Sequence, residues 1–201
     1  MPTEVFGNLN KLNNMKFKFC IFIMSLISVS CGISEAVLNR PSNWAQKVQS
    51  TFLQNFYKVD ENLFRSEQPT KIGMKELQEL GVKTILNVRN LRNDIFEAKS
   101  TDLIMKRKRI NTWTINYDEV VSALKIIQES PKPVLIHCKH GSDRTGCIVA
   151  AYRISFQNWT KEDAINEFKS GGYGYHEDAF KNVLHLLESI DKDKLKNDLR
   201  L

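Results

Sequence analysis

The apolar positions along the chain change period several times, and each change marks an element. "NFYKVDENLFRSEQPT" (55–70) alternates apolar and polar positions and ends at Pro69, which predicts a short hairpin or edge strands. "TKIGMKELQELG" (70–81) switches to a helical period, with Ile72, Leu77 and Leu80 placed on one face and Gly81 as the stop. "VKTILNVRN" (82–90) reads as a buried strand. "DIFEAKSTDLIMKRKRI" (94–110) predicts a helix that gives way to a strand over 106–112. In "YDEVVSALKIIQES" (117–130) the residues Val120, Val121, Leu124 and Ile127 make one apolar stripe, which Pro131 and Pro133 end.

The C-terminal half continues the alternation. "VLIH" (134–137) is a short, fully apolar strand. "GCIVAAYRISFQN" (146–158) is a helix apolar over much of its circumference and therefore central. "TKEDAINEFKS" (160–170) opens with a capping pattern at Thr160 and Asp163. "GGYGY" punctuates, and "EDAFKNVLHLLESI" (177–190) supplies a last helix. Strands alternating with helices predict a single α/β domain: a central, mostly parallel twisted sheet of four to five strands flanked by helices. The expected boundaries are 51–192 for the domain, 32–50 for a linker or lead-in, and 193–201 for a charged tail.

The first 31 residues follow a different rule. "MKFKFCIFIMSLISVSCG" (15–32) has a basic start at Lys16 and Lys18, then twelve mostly apolar residues, then small residues and Cys31. Twelve residues are too few to span a bilayer as a helix, which needs about 20. They fit the apolar region of an export signal. Met15 is then the natural start, and "SVSCG" resembles a bacterial lipoprotein site with Cys31 as the lipidated residue. Ser28 stands where such sites usually carry Leu. Simple cleavage and an uncleaved anchor are the alternatives. The expectation is an exported protein, either periplasmic or attached to a membrane through a lipid on Cys31.

Charge changes the picture little. The net charge is +6, and Lys11, Lys16 and Lys18 against Glu4 place part of it in the leader. A mildly basic body suits an anionic ligand without naming one, and no stretch reads as a nucleic-acid motif. The cysteines change it more. Cys20 and Cys31 belong to the leader, which leaves Cys138 and Cys147 in the body and excludes a disulfide framework. Cys147 lies in the apolar helix and reads as a small hydrophobe.

Cys138 sits in "HCKHGSDRTG" (137–146), where a buried strand ends and a helix begins. In open α/β sheets that carboxyl edge is where ligands bind. A loop of successive backbone N–H groups closed by a helix N-terminus is an anion cradle. Gly141 and Ser142 let the backbone curl tightly, and Arg144 offers a planar fork for two phosphate oxygens. The same positive surroundings favour the nucleophilic thiolate. Nucleophile and phosphate receptor become one object, which suits attack on phosphorus through a phosphocysteine.

The ten residues "HCKHGSDRTG" resemble the H-C-x5-R-[ST] signature of the cysteine-based protein tyrosine phosphatase superfamily. "NFYKVDENLFRSEQP" with "LQELGVKTILNVRN" is similar to the opening of its atypical dual-specificity branch, including an "RS-x-QP" element. "GGYGYHEDAFKN" is similar to the tail of bacterial members. The resemblance implies Cys138 as nucleophile and Arg144 as phosphate clamp. It implies that Thr145 hydrogen-bonds the sulfur as leaving group, that His137 orients the loop, and that the main chain of Lys139, His140, Gly141, Ser142, Asp143 and Arg144 completes the cradle. Lys139, His140 and Asp143 are then candidates for shaping substrate choice.

Neither a metal nor a cofactor is called for, and the expected partner is a phosphorylated protein or a small phosphorylated molecule. A phosphate-binding pseudophosphatase is the main alternative, and a sulfur-transfer or arsenate-type enzyme the other. Such phosphatases use a carboxylic acid from a separate loop to protonate the leaving oxygen. Asp118 in "NTWTINYDEVV" is the first candidate, with Glu119 behind it and Asp94 second. Asp118 and Glu119 would equally serve a helix N-terminus. The run "KRKR" (106–109) could steer a polyanion such as an inositol phosphate, or be a solvated strand end.

Overall fold

The computed structural model describes residues 40–201. The leader, with Cys20, Cys31 and the start of the lead-in, lies outside the described residues. The strands are β1 (Gln46–Lys47), β2 (Tyr57–Lys58), β3 (Leu63–Ser66), β4 (Thr84–Asn87), β5 (Ile104–Arg107) and β6 (Val134–His137). They form one sheet in the order β1-β2-β3-β6-β4-β5. The neighbours β3, β6, β4 and β5 are parallel, whereas β1, β2 and β3 run antiparallel. The sheet therefore has six strands where four to five are expected, because two-residue strands extend one edge.

The alternating faces of the sheet set two cores. One contains Leu53, Phe56, Met74, Leu77, Ile85, Leu103 and Leu135, covered by helix α1 (Lys71–Glu79) and the short α2 (Ile95–Ala98). The other contains Leu63, Leu86, Val134 and Ile136, covered by α3 (Tyr117–Glu129), α4 (Asp143–Phe156), α5 (Lys161–Ser170), α6 (Lys181–Ser189) and α7 (Lys192–Leu199). All four residues of β6 are buried, as a strand with parallel neighbours and helices on both faces requires. Each such aliphatic side chain contributes about 1.5–3 kcal/mol of burial. Helix α4 is buried along almost its whole length, in line with its all-round apolar sequence.

Local chemistry fixes the helix starts. The Thr160 hydroxyl accepts from the Asp163 amide, and the Thr70 hydroxyl from the Gly73 amide. Asn116 and Glu119 form a complete capping box on α3.

Four expectations change. In α1 the buried residues are Gly73, Met74 and Leu77, while Ile72 and Leu80 are about half exposed, so the stripe is rotated. The strand in "DLIMKRKRI" spans 104–107, and residues 112–114 instead form a 3-10 turn. Residues 193–201 are expected as a tail, but Lys192–Leu199 form α7, which buries Leu195 and Leu199 and joins α3 through Tyr117 and Asp198 at 2.8 Å. Residues 40–50 are part of the domain. Arg40 donates to the Ala45 and Gly171 carbonyls and the Tyr173 hydroxyl, and Val48 donates to the Phe56 carbonyl.

Candidate active site

The loop from Cys138 to Arg144 leaves β6 and enters α4 at the carboxyl edge of the parallel strands. What distinguishes it is the fate of its carbonyl groups. The Cys138 carbonyl faces His137 Nδ1 at 3.1 Å. The Lys139 carbonyl accepts from the Gln68 amide at 3.1 Å, and that of His140 from Asn55 Nδ2 at 2.8 Å. The Gly141 carbonyl accepts from Arg65 Nη2 at 2.6 Å, and that of Ser142 from the Gly146 amide at 2.7 Å. With the carbonyls of residues 138–142 caught from outside, the loop is braced for its amides to face an anion at the N-terminus of α4.

Gly141 is required at the apex. Its φ is +73°, and a Cβ there would stand 2.5 Å from the Ser66 carbonyl oxygen, so a side chain would push the loop off β3.

Within the cradle Cys138 is almost fully buried. Arg144 makes no ion pair among the described residues; its Nη1 reaches only the Ile110 carbonyl at 3.4 Å, and its Nε has no partner. Its fork is therefore uncommitted to any carboxylate. The expected bond from Thr145 to the sulfur is not made: the hydroxyl, on the first turn of α4, is buried and unpartnered. Cys147 contrasts with Cys138. It is buried among apolar neighbours, and burial pushes its thiol up to about 12, which keeps it protonated and inert.

His137 faces the loop through Nδ1 and the Cys138 carbonyl, and its second partner comes from a distant segment. Its Nε2 lies 3.0 Å from Asp94 Oδ2, and Asp94 also accepts from Gln68 Nε2 and Asn87 Nδ2, both at 2.8 Å. Burial pushes the Asp94 carboxyl up, but the hydrogen bond and charge of His137 and the two amides outweigh it and hold the group below its ordinary range. Asp94 is therefore a committed anion, unsuited to protonating a leaving group.

The structure sorts the remaining candidates. Asp143 is buried and turned away from the cradle, accepting from the His176 amide at 2.9 Å and facing its ring at 3.0 Å. It ties the cradle to the glycine-rich loop. His140 and Lys139 are exposed at the rim, and the His140 ring lies 5.7 Å from that of His176. Ser142 donates to the Tyr173 carbonyl at 2.7 Å. Asp118 is exposed on the first turn of α3, and no side-chain hydrogen bond or ion pair joins it to the cradle. Glu119 is occupied by the capping box. Trp113, exposed at 66 %, packs edge-on against Phe180. Among the described residues no cluster of metal-ligating side chains exists.

The "RSEQP" stretch is the part that sequence reasoning left without a role. Arg65 and Gln68 hold two of the cradle carbonyls, and Gln68 also binds Asp94 and Arg89. A charged side chain at an inward position of a short strand was the available signal.

Residues 52–200 match the model of the tyrosine phosphatase family. The chain belongs to that family. A dual specificity protein phosphatase of Pseudomonas aeruginosa, TpbA, is 33% identical over 167 residues, covering 81% of this chain and 74% of its own length. The crystal structure of that protein in complex with phosphotyrosine superposes with a TM-score of 0.72 at 31% identity, covering 80% of this chain and 98% of the other. An inositol diphosphatase of Arabidopsis thaliana is 28% identical over 161 residues, covering 72% of this chain and 74% of its own. The α/β phosphatase fold and the atypical bacterial branch expected from the signature are thus found. This tyrosine phosphatase carries Cys138 and Arg144 on one loop.

Proposed function

We propose that this phosphatase hydrolyses phosphate esters whose leaving oxygen is a weak base, with phosphotyrosine of a protein as the first substrate class. The observation that carries this reading is a complete cradle beside a loop without a placed acid. Cys138 and Arg144 share one anion site, and residues 110–116 next to Arg144 contain no carboxylate.

The chemistry follows from the geometry. The Cys138 thiolate attacks phosphorus while the loop amides and Arg144 hold the equatorial oxygens, where charge accumulates. The S–P bond forms as the P–O bond to the leaving group breaks. Water then attacks the phosphocysteine, releasing phosphate and restoring the thiolate, while the buried Thr145 hydroxyl on the first turn of α4 keeps an uncommitted donor. A general acid normally contributes about 10²- to 10⁴-fold, and phenolate or a phosphate leaving group needs it least. The relatives fit that chemistry: one is named for protein phosphatase activity and another for inositol diphosphate.

A second substrate class is favoured by one further observation. Arg107 Nη2 and Arg109 Nε both donate to the Asn90 carbonyl, which brings these two arginines to the 89–92 turn, whose Arg89 senses Arg144 and Cys138. Burial pushes the Arg89 guanidinium down, and Arg92 and Arg144 add to this, as expected where like charges await an anion. That rim suits a polyanion such as a diphosphoinositol. For the leader, we propose export and anchoring through Cys31, supported by its composition; a lipid-sized mass increase on Cys31 of the mature chain tests it.

The deciding experiment measures phosphate release from p-nitrophenyl phosphate and a phosphotyrosine peptide by the full chain and by Cys138→Ser. Release that survives Cys138→Ser would sink the mechanism. A phosphate adduct on Cys138, trapped by rapid acid quench and mass spectrometry, is the expected intermediate.

A further inference from the structure

Arg65 is 1 % exposed, yet its guanidinium has no carboxylate of its own. It stands on β3 opposite Ile136, two residues before Cys138. Its Nη2 donates to the Gly141 carbonyl, its plane lies over the Tyr173 ring at 3.5 Å from the centroid, and its Nε is buried without a partner. The Cβ position of Gly146 is 3.7 Å from Nη2, so the guanidinium is lodged under the first turn of α4. The positive end of a helix is an unfavourable neighbour for a cation.

The nearby carboxylate does not compensate. Glu167 gives Oε2 to Arg153 Nε at 2.7 Å and Oε1 to Arg153 Nη2, the Tyr173 hydroxyl and the Ala45 amide. The buried cluster thus holds Arg65 and Arg153 against one carboxylate. A buried charge persists when it is paired. Burial pushes the Arg65 guanidinium down, whereas Tyr173, Glu167, Cys138 and Tyr57 act in the opposite sense. The Tyr173 phenol is itself pushed up by burial and stays neutral, and Glu167 is already matched by Arg153. The group left to balance Arg65 is Cys138, two residues beyond the β6 partner of Arg65.

We propose that Arg65 is a positioning residue for the phosphatase reaction, a buried counter-charge that favours the Cys138 thiolate from behind the cradle while it fixes the Gly141 carbonyl. The inference rests on the phosphocysteine reading. It adds a cation on the side of the loop opposite the substrate. Arg65 acts beside His137 with its Asp94, Arg144 and Arg89, the other charged groups around Cys138. Because the two charges favour each other, whatever ionises the thiol also stabilises the guanidinium.

The test uses the full chain with Arg65→Gln, which keeps a donor for Gly141 but removes the charge, and Arg65→Lys, which keeps the charge. Alkylation of Cys138 by iodoacetamide and kcat/KM for p-nitrophenyl phosphate are measured against pH. In Arg65→Gln the midpoint of both profiles moves up by about one pH unit or more, a loss of about tenfold on the acid side that closes at high pH. Arg65→Lys keeps the midpoint of the parent. A uniform loss at every pH with an unmoved midpoint, or an equal shift in Arg65→Lys, overturns the proposal. If Arg65→Gln does not fold, the Arg65 Nε–H resonance of the parent decides: it follows the ionisation of Cys138, and this movement vanishes in Cys138→Ser. A resonance that stays still overturns the proposal. A parent chain that is alkylated normally but releases no phosphate would defeat the phosphatase reading alone, and the alkylation profiles would still decide the role of Arg65.

Discussion

The two walls of the cradle are built to different standards. The rear wall, from Asn55, Arg65, Gln68, Asp94 and Tyr173, consists of side chains and backbone whose polar atoms meet the loop at hydrogen-bond distance. The front wall, over 110–118, is a single 3-10 turn with an exposed Trp113 and an Asp118 that faces solvent. In the proposed reaction the fold fixes the nucleophile and the phosphate grip, and no buried carboxylate in the front wall is placed to deliver a proton. Preorganisation therefore serves the charge that forms on phosphate oxygens, where electrostatic stabilisation is usually the largest contribution to rate.

The sharpest way to weaken the support behind the rear wall is to remove the buried Arg153–Glu167 ion pair. Glu167→Ala leaves the buried Arg153 without its carboxylate, and thermal unfolding should show a loss of about 3–5 kcal/mol. Arg144→Lys should leave stability nearly unchanged and lower kcat/KM on an aryl phosphate by about 10²- to 10³-fold, because a point charge replaces the two-pronged donor. Asp94→Asn should lower kcat/KM by about ten- to a hundredfold, the consequence of a lost 1–3 kcal/mol at a buried hydrogen bond.

The same change tests the acid limb of stability. The Asp94 carboxyl lies below its unfolded value of about 4, so its contribution is complete above that pH and is lost as pH falls through the lower folded value. Denaturant unfolding across that window should be flatter in Asp94→Asn than in the parent. The smallest effect belongs to the front wall. Asp118→Asn should change kcat for p-nitrophenyl phosphate by less than about twofold, and a hundredfold loss would show that the front loop closes over substrate to bring this carboxylate in.

The difference between the walls also explains what the sequence made legible. The cradle is contiguous: Cys138, Gly141 and Arg144 lie within one loop whose chemistry depends on near neighbours, and the strand and helix around it carry unmixed apolar patterns. The rear wall is assembled from remote residues. Asp94 reaches His137 across 43 positions, Arg65 reaches Gly141 across 76, and His176 meets Asp143 across 33. Nothing local distinguishes such a charge from one that faces water. Lys192–Leu199 was illegible for a related reason, since its charged positions hide two leucines spaced one turn apart that pack on α3 and α4. Ile72 and Leu80 erred the other way: apolar, in register, and left outside because Met74 and Leu77 occupy the contact with the sheet.

The outward capture of the carbonyls of residues 138–142 has a further consequence, for the end of the catalytic cycle. Hydrogen bonds from Asn55, Arg65, Gln68 and Gly146 brace the loop in this shape. Inorganic phosphate meets the same amides and the same Arg144 as the ester did. Product and substrate therefore compete for a receptor of fixed shape, and turnover in a phosphate-rich medium is governed by release of the anion as much as by its capture.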